Sequence, residues 1–138
     1  MNTAIILAAG QGSRMNAEIN KQYIDLGGRP ILSYTLQAFD ENKAIDEIII
    51  VIHEDEVELL NSKVLNFYEC RKNIKIVYGG NQRQESVRNG LMEVSDSTAI
   101  VLIHDGARPF INQNLILKCV EGAEVFGAVS VGVPIKET

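Results

Sequence analysis

Apolar runs as long as a β-strand alternate along the chain with segments in which apolar residues recur at helical spacing. The runs are continuously apolar instead of alternating with polar residues, which is typical of strands buried on both faces of a parallel sheet. Strands are therefore predicted at 3–8, 47–52, 74–78, 99–104 and 128–133.

The segments between these runs carry helix signals. Leu32, Leu36 and Phe39 recur at i, i+4 and i+7 after Pro30, a residue that is favoured near helix starts. Further helices are predicted over 54–68, around a face made by Val87, Leu91 and Val94, and between an N-cap at Asn112 and a C-cap at Gly127. Strands that alternate with helices predict an α/β fold, a Rossmann-like open and mostly parallel twisted sheet flanked by helices.

Length and composition limit the classes of function. A chain of 138 residues corresponds to one domain, and its net charge of -5 argues against a general binder of nucleic acid or of anionic membranes. No apolar stretch approaches the roughly 20 residues of a membrane span, and the N-terminus lacks the basic leader of a signal peptide. Cys70 and Cys119 form no C-x-x-C pair, so both are interpreted as reduced cysteines of a cytoplasmic protein.

Basic residues are concentrated where the predicted strands end. Ligands of open α/β sheets bind outside the carboxyl ends of the strands. Five of the thirteen basic residues follow a strand in this way: Arg14, Lys21, Arg83, Arg108 and Lys136. In a chain with net negative charge, this concentration predicts a local site for a polyanionic ligand.

The segment after the first strand, AAGQGSRMNAEINKQY at 8–23, is a candidate phosphate-binding loop. It is not the dinucleotide fingerprint, because Met15 occupies the position of the third glycine, and the Walker pattern is absent from the chain. What remains is a turn with Gly10 and Gly12, whose backbone N–H groups can approach phosphates, followed by Arg14 and Lys21. A planar guanidinium and a point-charge ammonium together suit a nucleoside triphosphate.

Four segments in order, LAAGQGSRM…KQY, GGNQRQESVRNGL, HDGARPF and VPIKET, resemble the motifs of 2-C-methyl-D-erythritol 4-phosphate cytidylyltransferases. These enzymes join a polyol phosphate to a nucleotide and share the fold type of the nucleotide-diphospho-sugar transferases. The resemblance implies in-line attack of the substrate phosphate on the α-phosphorus of CTP, with release of pyrophosphate and with Mg²⁺ as cofactor. It also implies a place in non-mevalonate isoprenoid precursor synthesis.

The resemblance assigns roles residue by residue. Arg14 and Lys21 match the pair that stabilises the transition state at the α-phosphate, and Asp105 matches a Mg²⁺ ligand. Thr138 matches a contact to the methylerythritol phosphate. The nucleotide-binding positions are Ala8, Ala9, Gly10, Gly12, Gly80, Arg83, Ser86, Ala107 and Arg108. A local role remains an alternative for Asp105, as the cap of a turn, and for Ser86, as an ordinary first-turn helix residue.

The chain departs from the family pattern in two places. Asn20 stands where the family usually has proline before the lysine. The family's region after Thr138, which supplies a dimerising arm, further cations and a second carboxylate, has no counterpart here. Residues 1–138 are therefore interpreted as a single nucleotidyltransferase domain, the N-terminal portion of a protein whose full-length relatives are homodimers. Two alternatives stay open: a ribitol 5-phosphate cytidylyltransferase and, from another class, a CTP-binding fragment without turnover.

Overall fold

The structure, a computed structural model, describes residues 1–10 and 20–136. In chain order its elements are β1 (Asn2–Ala8), β2 (Asp25–Leu26), β3 (Arg29–Pro30), α1 (Ile31–Asp40), β4 (Glu47–Ile52), α2 (Val57–Leu60), β5 (Asn73–Tyr78), α3 (Arg83–Met92), β6 (Ile100–Asp105) and α4 (Gln113–Phe126). Short 3-10 turns cover Lys21–Tyr23 and Glu54–Glu56, and a π-helical turn covers Asn61–Leu65. Within the described residues, no helix has the length and apolar character needed to cross a membrane.

The main sheet is parallel, and its strands lie in the order β5-β4-β1-β6. Every residue of β4 and most residues of β1 are buried, because these two strands are central and are covered on both faces. The chain first builds outward from β1 to β4 and β5, then returns to place β6 on the other side of β1. The predicted α/β fold is confirmed, and the reversal at β1 marks where such sheets open a ligand crevice.

Two clusters of buried side chains cover the faces of the sheet. On one face, Ile6 and Ile50 of the central strands pack with Leu36 of α1 and Ile116 of α4. On the other face, Ile5 belongs to a smaller cluster, and α3 packs against β1, β4 and β5 there. Because helices cover both faces, the ends of the strands are the part of the sheet that a polar ligand can reach.

The hairpin formed by β2 and β3 is absent from the sequence-based prediction. Its two-residue turn consists of Gly27 and Gly28, which have φ angles of 63° and 93°. Adjacent glycines are a strong signal for such a turn, since both positions require positive φ. The flanking strands have two residues each, which is too short for a hydrophobic period to reveal them.

The predicted fifth strand at 128–133 is wrong. These residues form neither strand nor helix, and Val131 is exposed. After α4 ends at Phe126 with Gly127 as its C-cap, Val129 lies against the Gly122 position of α4. A strand forms only where a neighbouring strand supplies hydrogen bonds, and an alternation of valines with small residues does not supply them.

The predicted helices are confirmed with small differences in extent and winding. The segment predicted over 54–68 winds successively as a 3-10 turn, an α turn and a π turn, and its helical part ends at Leu65. In α4, the side chain of Asn112 accepts a hydrogen bond from the backbone N–H of Leu115 at 2.8 Å. Both predicted caps of α4 are therefore present, with Gly127 at its carboxyl end.

Candidate functional site

A cleft opens along the carboxyl edge of the sheet. Its volume is about 580 Å³, which lies within the range of small-molecule sites. The described residues that line it lie at or after the ends of all four strands of the main sheet: Leu7, Ala9, Gly10, Lys21, Gln22, His53, Gly80, Asn81, Gln82, Arg83, Ser86, Asp105 and Ala107. The cavity thus occupies the position where an open α/β sheet binds its ligand.

Most of the predicted site residues that the structure describes come together in this cleft. Those that line it are Ala9, Gly10, Lys21, Gly80, Arg83, Ser86, Asp105 and Ala107. Ala8 is buried at the end of β1 and is not a lining residue, and Arg108 reaches the site through an ion pair with Asp105. Gly12, Arg14 and Thr138 lie outside the described residues, so their roles stay predictions.

Two arginines hold the carboxylate of Asp105. Arg83 Nη2 lies 3.1 Å from Oδ1, and Arg108 Nε lies 3.3 Å from Oδ2. Both guanidinium groups are mostly exposed, and each has five N–H donors, so donors remain for a ligand. Asp105 is the one acidic residue among the described lining residues, against Lys21 and Arg83. The local charge therefore favours an anion in a protein whose net charge is negative.

The donor set of the cleft fits a divalent cation only if the ligand supplies most of the coordination. Within residues 1–10 and 20–136, no group of three or more His, Cys, Asp or Glu side chains is placed to hold a metal ion. Mg²⁺ is commonly held by one or two carboxylates together with substrate phosphates and waters. Asp105 can provide one such carboxylate at the edge of the cleft. The residues present therefore suit a cation that arrives with a polyphosphate.

The turn after β5 brings backbone close to β1. A Cβ atom at Gly79 would lie 2.4 Å from the Cβ of Ala9 and 2.6 Å from Ser86 Oγ, so this position tolerates only glycine. Ser86 is buried, and its hydroxyl oxygen accepts a hydrogen bond from the backbone N–H of Gly80 at 3.1 Å. Ser86 therefore supports the backbone that lines the cleft. This contact gives it a specific role beyond that of an ordinary residue in the first turn of a helix.

The first turn of α3 forms one wall of the cleft. A capping box closes this end: the side chain of Gln82 accepts from the backbone of Glu85, whose carboxylate accepts in turn from the backbone N–H of Gln82. Asn81 N–H also donates to Glu85 Oε2, at 2.7 Å. The partial positive charge of a helix N-terminus favours anions, and Arg83 adds a full charge at the first helical position.

A half-buried histidine connects Arg108 to the core. His104 Nε2 lies 2.9 Å from the carbonyl oxygen of Arg108, and the His104 ring packs on Phe39 with 5.2 Å between centroids. Burial lowers the pKa of His104. The neutral ring therefore donates from Nε2 to the Arg108 carbonyl, and this bond fixes the backbone at one of the two arginines that hold Asp105.

Gln22 and His53 are lining residues that sequence reasoning missed. The buried side chain of Gln22 donates from Nε2 to the carbonyl oxygens of Ala8, at 2.6 Å, and of Gly10, at 3.4 Å. These bonds join the chain just before residues 11–19 to the chain just after them. Their positions in the sequence could have indicated that they line the cleft. Gln22 directly follows Lys21, and His53 directly follows the second long strand at the same edge of the sheet.

Replacing Gln22 with alanine is expected to lower the free energy of unfolding by about 1–3 kcal/mol, because the buried carbonyl of Ala8 loses its donor. Urea denaturation measures this change. The exposed Gln84 is a matched control, and Gln84→Ala should stay within about 0.5 kcal/mol of the parent chain. Equal stability of the Gln22→Ala variant and the parent would show that the hydrogen bonds of Gln22 to Ala8 and Gly10 do not stabilise the fold.

Comparisons with known proteins are consistent across sequence and structure. The family model described as "IspD: 2-C-methyl-D-erythritol 4-phosphate cytidylyltransferase" matches residues 2–138. Proteins with that same name from Clostridium novyi (strain NT) and Clostridium beijerinckii are 50% and 51% identical to this chain over 99% and 100% of its length. A crystal structure of 4-diphosphocytidyl-2C-methyl-D-erythritol synthase from Anaerococcus prevotii superposes with a TM-score of 0.75 at 38% identity, over 88% of this chain.

The matched part of each relative is shorter than the relative itself. The aligned region is 59% of the Clostridium novyi protein and 60% of the Clostridium beijerinckii protein. It is 49% of the chain in the Anaerococcus prevotii structure. The chain thus spans about three fifths of the length of the curated relatives that it matches.

Proposed function

The chain belongs to the 2-C-methyl-D-erythritol 4-phosphate cytidylyltransferase family, and on that premise we propose that it catalyses cytidylyl transfer from CTP to 2-C-methyl-D-erythritol 4-phosphate. The products are 4-diphosphocytidyl-2-C-methyl-D-erythritol and pyrophosphate, in non-mevalonate isoprenoid precursor synthesis. The observation that carries this proposal is the cleft itself. It brings three residues to one edge of the sheet: Lys21 from the segment after β1, Arg83 from the start of α3 and Asp105 from the end of β6.

The proposed reaction requires no nucleophile from the protein. An oxygen of the acceptor phosphate forms a bond to the α-phosphorus of CTP. The bond from that phosphorus to the oxygen bridging to the β-phosphate breaks, and its electron pair leaves with pyrophosphate. Catalysis of such a transfer consists mainly of positioning and of neutralising the charge on the phosphate oxygens.

The side chains of the cleft suit those tasks. The ammonium of Lys21 is exposed at the cleft and can neutralise charge on the α-phosphate, a role that we also expect for Arg14. Gly10, Gly80 and the small side chains of Ala9 and Ala107 leave room for the nucleotide to approach the backbone. Arg83 and Arg108 offer forked donors beside it. Gly12 at the loop and Thr138 at the acceptor phosphate complete the predicted set.

Further components of the proposal follow from charge and chemistry. We propose Mg²⁺ as the cofactor with Asp105 as the residue that would hold it, and the ion would supply positive charge to offset that of the triphosphate. A net charge of -5 argues against a nucleic-acid or membrane partner. Both cysteines are free, which suits the reducing cytoplasm. We expect the homodimer to be a property of full-length relatives.

Pyrophosphate release tests the proposal. The chain is incubated with CTP and Mg²⁺ together with either 2-C-methyl-D-erythritol 4-phosphate or ribitol 5-phosphate. Turnover with the methylerythritol acceptor is expected. A preference for ribitol phosphate would replace the acceptor in the proposal, and CTP binding without product from either acceptor would reduce the chain to a nucleotide-binding domain.

Replacing Arg83 with alanine is expected to weaken CTP binding by about 10–100-fold, because a charge-assisted contact contributes roughly 1.5–3 kcal/mol. Isothermal titration calorimetry measures the affinity. Arg88 is an exposed arginine on the same helix that does not line the cleft, so Arg88→Ala is the matched control. Stability should change little in either variant, because the Arg83 ion pair is largely exposed. If both variants bind CTP equally well, the nucleotide lies elsewhere.

A further inference from the structure

The turn after β4 is acidic, although the edge of the sheet where it lies otherwise collects cations. Glu54, Asp55 and Glu56 form this 3-10 turn. Glu54 and Asp55 are exposed, whereas Glu56 is half-buried and points its carboxylate at another segment of the protein. A carboxylate withdrawn from water needs hydrogen-bond partners, so the partners of Glu56 indicate what it does.

Glu56 contacts the residue that precedes Lys21. The side-chain amide of Asn20 donates from Nδ2 to Glu56 Oε1, across 36 positions of sequence. Asn20 is extended, with φ of -62° and ψ of 145°, and its carbonyl oxygen accepts from the backbone N–H of Tyr23 at 2.9 Å. Asn20 is therefore the residue from which the turn carrying Lys21 begins.

We propose that Glu56 is a positioning residue for Lys21 and acts through the side chain of Asn20. The proposal rests on the function proposed above, in which Lys21 neutralises charge at the α-phosphate. A lysine side chain is long and flexible, so its ammonium is placed accurately only if its backbone is held. Fixed charges stabilise a transition state because they need no reorganisation during the reaction. The Asn20–Glu56 hydrogen bond provides that fixation from the turn that follows β4, a central strand of the sheet.

A second side chain of the same turn meets Glu56. The Tyr23 hydroxyl and Glu56 Oε2 are both buried, and neither has a hydrogen-bond partner among the described residues. Burial, followed by the charge of the neighbouring Glu56, raises the pKa of Tyr23, so its hydroxyl keeps its proton and remains a donor. Burial likewise raises the pKa of Glu56, against the opposing influence of Tyr23 and His53. Glu56 thus bonds to Asn20, which precedes Lys21, and lies near the hydroxyl of Tyr23, which follows Lys21 by two positions.

The kinetic test compares Glu56→Ala with Glu56→Gln. Alanine removes the acceptor, and we expect kcat for pyrophosphate release to fall by about tenfold, since small misplacements of catalytic groups are costly. KM for CTP should change by less than about threefold, because only positioning in the transition state is lost. Glutamine keeps an acceptor oxygen, so Glu56→Gln should retain kcat within about threefold of the parent. Glu58→Ala, at an exposed glutamate of the same segment, is the matched control.

Hydrogen exchange tests the proposal independently of turnover. The amides of Tyr23 and Ile24 bond to the carbonyls of Asn20 and Lys21. In Glu56→Ala they should exchange about tenfold faster than in the parent and in Glu58→Ala, because the turn opens more often. This readout stays decisive even if the parent chain releases no pyrophosphate, which would contradict the proposed function alone.

A double variant separates positioning from general damage. The φ of Asn20 lies in the range that a proline ring imposes, so Asn20→Pro can hold the backbone without Glu56. Combined with Glu56→Ala, it should restore slow exchange at Tyr23 and Ile24 and most of kcat. Unchanged exchange in Glu56→Ala, or a loss of kcat in Glu56→Gln as large as in Glu56→Ala, would overturn the proposal.

Discussion

Replacing Lys21 with methionine is expected to lower kcat for pyrophosphate release by about 10²–10³-fold, the usual effect of removing one preorganised charge-stabilising group. Methionine keeps the length of the side chain and removes its charge. The affinity for CTP should fall by less than about threefold, because the ammonium matters most when charge develops on the α-phosphate oxygens. Pyrophosphate release and calorimetry measure the two quantities separately.

Lys43 provides the control for this experiment. It is also exposed, but it does not line the cleft, so Lys43→Met should leave kcat and CTP affinity unchanged. An equal loss of affinity and kcat in the Lys21→Met variant would make Lys21 a ground-state contact to the triphosphate. Identical kinetics in the two variants would remove Lys21 from the mechanism.

Replacing Phe39 with alanine is expected to lower the free energy of unfolding by about 3–5 kcal/mol, because a large and fully buried ring leaves a cavity. Phe39 is 1% exposed and points from α1 into the larger core cluster, where its ring also contacts His104. Urea denaturation measures the change in stability. Phe67 is 82% exposed, so Phe67→Ala should differ from the parent by no more than about 0.5 kcal/mol.

The same variant connects the core with the site. His104 donates to the carbonyl of Arg108, and without Phe39 its ring loses its packing partner. In the absence of urea, and at a temperature at which the variant is folded, CTP binding should therefore weaken in Phe39→Ala but not in Phe67→Ala. Unaltered CTP affinity in a destabilised Phe39→Ala variant would show that Arg108 holds its place without this contact.

The site was predictable to the extent that it depends on strand ends. Parallel strands bring their carboxyl ends to one edge, so Lys21, Arg83 and Asp105 could be grouped from sequence although up to 84 positions separate them. The prediction did not extend to their contacts with one another. Ion pairs such as those of Arg83 and Arg108 with one carboxylate depend on side-chain geometry, which no hydrophobic period encodes.

The predictions that were wrong or missing concern pairing between distant segments. Residues 128–133 have the composition of a strand, yet strand formation depends on a neighbour with free hydrogen-bonding groups. The adjacent glycines Gly27 and Gly28 indicated the turn of the β2–β3 hairpin, but its strands were too short for a hydrophobic pattern to predict them. Gln22 and Glu56 looked like ordinary polar residues until the structure placed one on the carbonyls of Ala8 and Gly10 and the other on Asn20.

The sequence by itself determined the α/β class, the central strands and the edge of the sheet at which cations gather. The pattern of apolar and polar residues shows which segments are buried strands, and the alternation of strands with helices shows that the strands run in the same direction. It also contained the four motifs that carry the family resemblance. Only the tertiary structure decided how the turn that carries Lys21 is anchored. The acidic turn after β4 has no local reason to face Asn20, and it does so because β1 and β4 are adjacent strands of one sheet. The placement of Lys21 therefore depends on strand pairing, which hydrophobic periodicity does not encode.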